Sequence, residues 1–425
     1  PGDGRGALRD RAMFKDLLRS RWKSFLLFLA VMGPGIITSN VDYDAGVIAT
    51  YSMAGAHFGN GLLWTLVPVM LVLVVVQEMS ARMGVVTGKG LSDLIRERFG
   101  VRITVYLLFG ILLTNFGNVI AEFAGVASSL EIFHVSKFIS VPLSALLVWL
   151  LVVKGTYRSV EKIFLFACLF YVTYIVSGFL AKPDWGAIGM SLVRPRLDFS
   201  PGALGMVIGL VGTTIAPWMQ FYLQASIVEK NIPVRDYKRS RLDVIAGSII
   251  VTVVAGFIVL TCAATLFKAG IRVETAADAA LALKPLAGRY CAALFAFGLL
   301  NASLFAASIL PLSTAFIICE GMGWENGVNK RFSEAPQFYG LYTLLVFAGA
   351  GIILLPRIPL FRVMLVSQVV NGLVLPVVLI FMLILINSRK LMGTYKNGKV
   401  FNAVSWVTVA VLIVLTAAYA LAFAR

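Results

Sequence analysis

Two carboxylates stand where a hydrocarbon-soluble stretch would exclude them. Asp42 and Asp44 fall near the centre of an apolar run from about residue 25 to 56, and each carboxylate at mid-membrane costs about 2.5–3.5 kcal/mol on insertion scales. Either an ion pair with a basic residue, a place on a vestibule wall, or a functional site must justify them. Residues two apart point in different directions, so only one is expected at a site; Asp44, directly before Ala45-Gly46, is the better placed. Asn115, Asn118 and Glu122 follow an i, i+3, i+7 spacing, which gives them one helix face, read as inward. Gln368 and Asn371 lie one turn apart, upstream of Pro376. Asn301 and Ser308 share a face that reads as hydrogen-bonding glue between helices.

Other chemistries are excluded by what is missing. His57 and His134 are the only histidines, and neither H-E-x-x-H nor G-x-S-x-G occurs. Cys168, Cys262, Cys291 and Cys319 lie in or beside apolar runs without C-x-x-C spacing, so neither a zinc site nor a disulfide framework is expected. An intramembrane enzyme is therefore disfavoured against a transporter.

The elements that must position these residues follow from composition. The 425 residues are 59% hydrophobic and 14% charged, against about 25% charged in soluble domains, and apolar runs long enough to cross a bilayer recur along the chain. Eleven spans are predicted, near 25–56, 61–81, 103–132, 138–153, 160–181, 202–228, 243–267, 286–318, 337–355, 360–387 and 400–423. The net charge of +16 belongs to membrane topology rather than to nucleic acid. With the N-terminus inside, the inner segments hold 26 basic residues and the outer ones 11, as the positive-inside rule requires of an odd number of spans. The N-terminus is thus expected in the cytoplasm and the C-terminus outside. The basic segment up to Lys23 shows no cleavable signal.

Two spans do not read as ordinary helices. Span 1 holds Gly33-Pro34-Gly35 and then Asn40-Val41-Asp42-Tyr43-Asp44-Ala45-Gly46. Span 6 holds Gly209 and Gly212-Thr213-Thr214-Ile215-Ala216-Pro217-Trp218. Irregular backbone at membrane depth survives only where it lines a cavity or is buried in protein, so the two breaks should face each other. Their separation by five spans is the mark of an inverted repeat with a midplane site. The predicted organisation is a basic cytoplasmic segment (1–24), repeat 1 (25–181, helices 1–5), an external loop (182–201), repeat 2 (202–387, helices 6–10), and a connecting loop with an eleventh helix (388–425).

At these residues the chain resembles a known family. Gly33-Pro34-Gly35-Ile36-Ile37 through Asp44-Ala45-Gly46, then Ala54-Gly55-Ala56-His57-Phe58-Gly59, Leu62-Leu63-Trp64 and Ser80 through Lys89 are similar to the first helices of NRAMP divalent-metal transporters. The resemblance implies an all-α membrane protein with the LeuT-type five-plus-five inverted repeat, interrupted helices 1 and 6, and an eleventh helix. By motif matching it also implies metal ligands at Asp44, the carbonyls of Val41 and Thr213, the Ala216 position and Gln368. Asp42, Gly46, Val47, Pro217, Trp218, Glu122 and Asn371 would line or support the site.

The departures from the family pattern are informative. Asp-Pro-Gly-Asn becomes Asp44-Ala45-Gly46-Val47, Met-Pro-His becomes Ala216-Pro217-Trp218, and the paired acids of span 3 become Val119 and Glu122. This pattern resembles the NRAMP-related magnesium transporter branch. A thioether favours soft transition metals, and Mg2+ keeps several of its waters, so losing Met and Asn suits a partly hydrated hard ion. The expectation is import of Mg2+, and also Mn2+, by alternating access without proton coupling. The alternative is a proton-coupled Mn2+/Fe2+ importer with an unusual site. A sodium-coupled amino-acid transporter of the same fold is a further alternative, disfavoured because Asp44 would repel a substrate carboxylate. No cofactor, nucleic acid or obligate protein partner is implied; the partners are the divalent ion and the lipid bilayer, and the expected location is a bacterial inner membrane.

Overall fold

Pro, Gly and capping side chains cut the apolar sequence into helices, and in the computed structural model, which describes residues 43–154, 168–195, 198–328 and 330–423, those helices account for nearly all regular structure. Helix α1 (Ala45–Phe58) begins at the Asp44 cap and ends at Gly59, whose φ of 55° few side chains could adopt. After a 3₁₀ stretch come α2 (Leu66–Thr87) and α3 (Leu91–Glu131), the latter kinked at Gly100. Ser136 caps α4 (Lys137–Val153), and α5 covers Val172–Leu180. Asp184 caps the short α6 (Trp185–Val193), and Ser200 caps α7 (Pro201–Thr214). Next are α8 (Pro217–Glu229) and α9 (Tyr237–Cys262), which runs on through a π turn at Ala263–Phe267. The chain closes with α10 (Cys291–Met322), α11 (Pro336–Ile353), α12 (Leu360–Ile386) and α13 (Lys399–Phe423).

Among the described residues eight stretches are long and apolar enough to cross a membrane, Ala45–Thr87 being one of them, and the apolar α4 is shorter. No strand occurs among them. The Gly33-Pro34-Gly35 turn, Val41, Asp42 and the start of the fifth predicted span lie outside the described residues.

Helices α3, α10 and α12 form the centre, with α1 and α7 packed against it, while α13 lies at the periphery against α7, α12 and α2. Small residues allow the closest approaches. A Cβ on Gly125 of α3 would run into Ala45 of α1 and the Ser303 hydroxyl of α10. A Cβ on Gly212 of α7 would strike the main chain of Gln368 and Gly372 in α12, and one on Gly372 would strike Ile208 O.

Those contacts correct one expectation. Gly209 and Gly212 lie within the regular helix α7, and the break in span 6 is confined to Ile215 (φ −126°, ψ 56°) and Ala216 (φ −63°, ψ 139°). The Gly212 position serves close packing, whereas Pro217, lacking an N–H, ends one helix and starts the next.

Candidate functional site

A helix start leaves N–H groups without intrahelical partners, and at the start of α1 two carboxylates take them up. Asp44 Oδ1 accepts from Val47 N at 2.7 Å, and Glu122 Oε2, from α3, accepts from Ala45 N at 3.2 Å. Both carboxyl groups are buried. The bond from Ala45 exists because Gly125, three residues after Glu122, lets α1 come that close. Glu122 Oε1 is buried with no hydrogen-bond partner. Among the described residues neither carboxylate is ion-paired with Lys or Arg.

The backbone leading into Asp44 is held from two sides. Tyr171 Oη donates to Tyr43 O at 2.7 Å, and Tyr43 Oη donates to Val251 O of α9. The two rings lie against each other with centroids 4.3 Å apart.

The second break supplies main-chain oxygens. Thr213 O has no intrahelical donor, because the residue four further on is Pro217. The Thr213 hydroxyl is buried and unpartnered. Ala216 caps α8, and the amide of the fully buried Gln220 turns back against Ala216 O (2.7 Å) and Pro217 O (2.8 Å), carbonyls that accept from it once its nitrogen is assigned to that side. Trp218 is buried beside Tyr222, ring centroids 6.0 Å apart. Helix α1 is tied to the end of α7 where Tyr51 hydrogen-bonds the hydroxyl of Thr214, which itself donates to Leu210 O at 2.7 Å.

Gln368 stands between α1 and α7. Its side-chain nitrogen lies against the α-carbon of Gly46, where no Cβ would fit, and its main-chain oxygen lies against Gly212. Gln368 Oε1 accepts from Asn371 Nδ2 at 2.8 Å, and Asn371 and Asn118 exchange two bonds of 3.0 Å. Gln368 Nε2 is buried without a partner.

Of the residues singled out from sequence, Asp44, Gly46, Glu122, Gln368 and Asn371 come together at the start of α1. Thr213, Ala216, Pro217 and Trp218 lie in or beside the α7–α8 break. Val47 is buried in the first turn of α1, and Val119 packs on Gly349 of α11. Asn115 donates to Thr314 of α10 at 2.9 Å, a tie between helices, and Ser308 bonds to Phe305 O of its own helix. Gln220, Tyr171 and Gly125 escaped sequence reading: the partner of Tyr171 is 128 positions away in the chain. Gln220 had a usable signal, an amide three residues after the Pro that frees the preceding carbonyls.

Among the described residues no three His, Cys, Asp or Glu side chains could hold a metal together. A divalent cation at this site would rest on Asp44 and Glu122 and complete its shell with amide, main-chain and water oxygens, the donor set of a hard ion.

Residues 35–422 match the model of the family described as natural resistance-associated macrophage protein-like. The chain is 31% identical over 416 residues to the divalent metal cation transporter MntH of Ralstonia nicotianae, covering 92% of this chain and 90% of that protein. With the MntH protein of Deinococcus radiodurans it shares 28% identity over 401 residues, 91% of this chain and 88% of the other. Its fold is similar to a manganese transporter of Eremococcus coleocola solved with an aromatic bis-isothiourea compound, with a TM-score of 0.72, 22% identity, and 93% and 86% of the two chains covered. Mhp1, a nucleobase-cation-symport-1 family transporter, aligns with a TM-score of 0.56 at 14% identity over 92% of this chain and 91% of Mhp1. The fold is the all-helical LeuT type.

Proposed function

The chain belongs to the Nramp family, and from that premise we propose that it is a membrane transporter for a divalent metal ion, bound at the start of α1. The observation that carries this reading is the pair of buried carboxylates, Asp44 and Glu122, without a basic partner among the described residues. Buried charge without a partner is costly, and a divalent cation supplies the missing counter-charge.

The relatives favour Mn2+ as cargo: the MntH proteins are divalent metal cation transporters, and the E. coleocola protein is a manganese transporter. Alternating access is supported by the family fold and by the sequence reading of spans 1 and 6 as interrupted helices of an inverted repeat. Proton coupling is supported by Glu122, whose second oxygen has no partner and could hold a proton when the cation leaves. Glu122 and Asp44 can then carry either the ion or a proton, one replacing the other.

A second reading rests on a different observation. Val47 and Ala216 offer neither amide nor thioether, and Trp218 cannot titrate, so nothing at these positions selects a soft metal over Mg2+. In this reading Mg2+ enters without protons, driven by its gradient and by a membrane potential worth about 4.6 kcal/mol for two charges at 100 mV.

One experiment separates them. Proteoliposomes containing a pH-sensitive dye are supplied with Mn2+, Mg2+ or Cd2+ outside. Mn2+ uptake with acidification of the lumen supports the first reading; Mg2+ uptake at constant internal pH supports the second. No uptake of any divalent ion by well-folded protein defeats both.

A further inference from the structure

The three buried amides of Asn118, Asn371 and Gln368 form a chain with two equivalent states. Asn118 and Asn371 face each other as a closed pair, each donating to the other at 3.0 Å, and Asn371 Nδ2 also donates to Gln368 Oε1 at 2.8 Å. Among the described residues neither Asn amide bonds to anything else. Turning both Asn amides over exchanges every oxygen for a nitrogen and keeps both bonds of the pair. Asn371 would then offer Oδ1 to Gln368, whose amide can turn with them and donate through Nε2. No bond is lost in the exchange, but the atom that Gln368 shows to the site changes from nitrogen to oxygen.

We propose that Asn371, closed against Asn118, determines which atom of the Gln368 amide faces the cation site. In the orientation described here the Gln368 nitrogen lies against Gly46, in the first turn of α1, and has no acceptor. A helix N-terminus carries partial positive charge and attracts an oxygen there rather than an N–H. A cation beside Asp44 adds to that preference, since only the oxygen can ligate it. Arrival of the cation thus favours the turned state, and its departure releases it. Asn371 is a positioning residue: it need not touch the ion. The proposal rests on the reading of this site as a cation site.

The test uses two carboxylate variants of the full chain with equal charge. Ionised, Asn371→Asp only accepts, so at a pH where it is ionised it should draw Gln368 Nε2 towards itself and leave Oε1 facing the site. Asn118→Asp adds the same charge but meets Asn371 with two like oxygens, and therefore holds Gln368 in neither orientation. Titration calorimetry with Mn2+ should show Asn371→Asp binding about tenfold tighter than Asn118→Asp, within the range that outer partners of a metal ligand command. The difference should vanish when Gln368→Ala is added. Equal affinities of the two variants, or a difference that survives Gln368→Ala, would overturn the proposal. If Asp44→Ala binds Mn2+ as the parent does, the cation reading itself has failed, and the proposal falls with it. Should Asn371→Asp not fold, infrared difference spectra of the parent carrying ¹³C-glutamine decide the matter. Mn2+ should shift one side-chain carbonyl band that is missing in Gln368→Ala, and an unshifted band refutes the exchange.

Discussion

Two clusters of buried carboxylates among the described residues are treated in opposite ways. Near the end of α2, Glu78 is ion-paired with Arg82 at 3.1 Å and receives the hydroxyl of Tyr237. Arg82 in turn donates to Tyr395 O at 3.1 Å and to the Asn397 side chain. At the start of α1, Asp44 and Glu122 meet only backbone N–H groups. The first cluster carries its own counter-charge and ties α2 to the start of α9 and the turn before α13. The second is left with negative charge to spend on something that comes and goes. At the α2 cluster the built-in base makes the buried acid architecture; at the start of α1 its absence fits a mobile cation.

The sharpest way to break this contrast is to remove Asp44. Asp44→Ala should lower divalent uptake in proteoliposomes by more than about 100-fold, beyond what partners outside a metal's ligand shell usually contribute. Its lost helix cap should cost only about 1 kcal/mol of stability. Unchanged uptake in folded Asp44→Ala protein would make the two clusters alike.

The converse holds for Arg82. Arg82→Ala strands Glu78 without a counter-charge and should destabilise the protein by about 3–5 kcal/mol, the usual effect of breaking a buried pair. Thermal unfolding in detergent measures it, and Mn2+ affinity at the α1 site should stay as it was. A variant that melts like the parent but binds Mn2+ poorly would assign the Glu78 cluster to transport.

A smaller effect would sharpen the account of selectivity. Val47→Asn with Ala216→Met adds an amide and a thioether at the two breaks, and Cd2+ or Mn2+ should gain about tenfold over Mg2+ in competition. No change in either competition would mean that these two side chains do not set selectivity. The smallest effect belongs to Tyr171→Phe, which removes the bond to Tyr43 O. It should cost about 1 kcal/mol, read as a modest fall in melting temperature.

Much of the site was legible because helix breaks are written locally. Pro217 announces where regular backbone stops, and a carboxylate in an apolar run announces itself by its cost, whereas Ala45 and Gly46, expected to form part of the first break, lie within the first turn of α1. The i+7 spacing put Glu122 on the buried face of α3, although nothing in the sequence says that it meets Ala45, 77 positions earlier. Gly212 was misread as part of the break, since glycine favours both irregular backbone and close packing, and only the neighbouring α12 decides between them. Glu78 and Arg82 lie at the predicted end of span 2, where charge is ordinary. Their burial depends on Tyr237 and Asn397, whose proximity has no local signature.

Gly212 and Gly372 have a further, mechanical meaning. With main chain lying against main chain at both positions, α7 and α12 approach more closely there than side chains on those residues would allow. The Thr213 carbonyl and the Gln368 amide, carried by these two helices, are thereby held in register with each other, and the paired amides of Asn118 and Asn371 fix the same assembly to α3, the helix that bears Glu122.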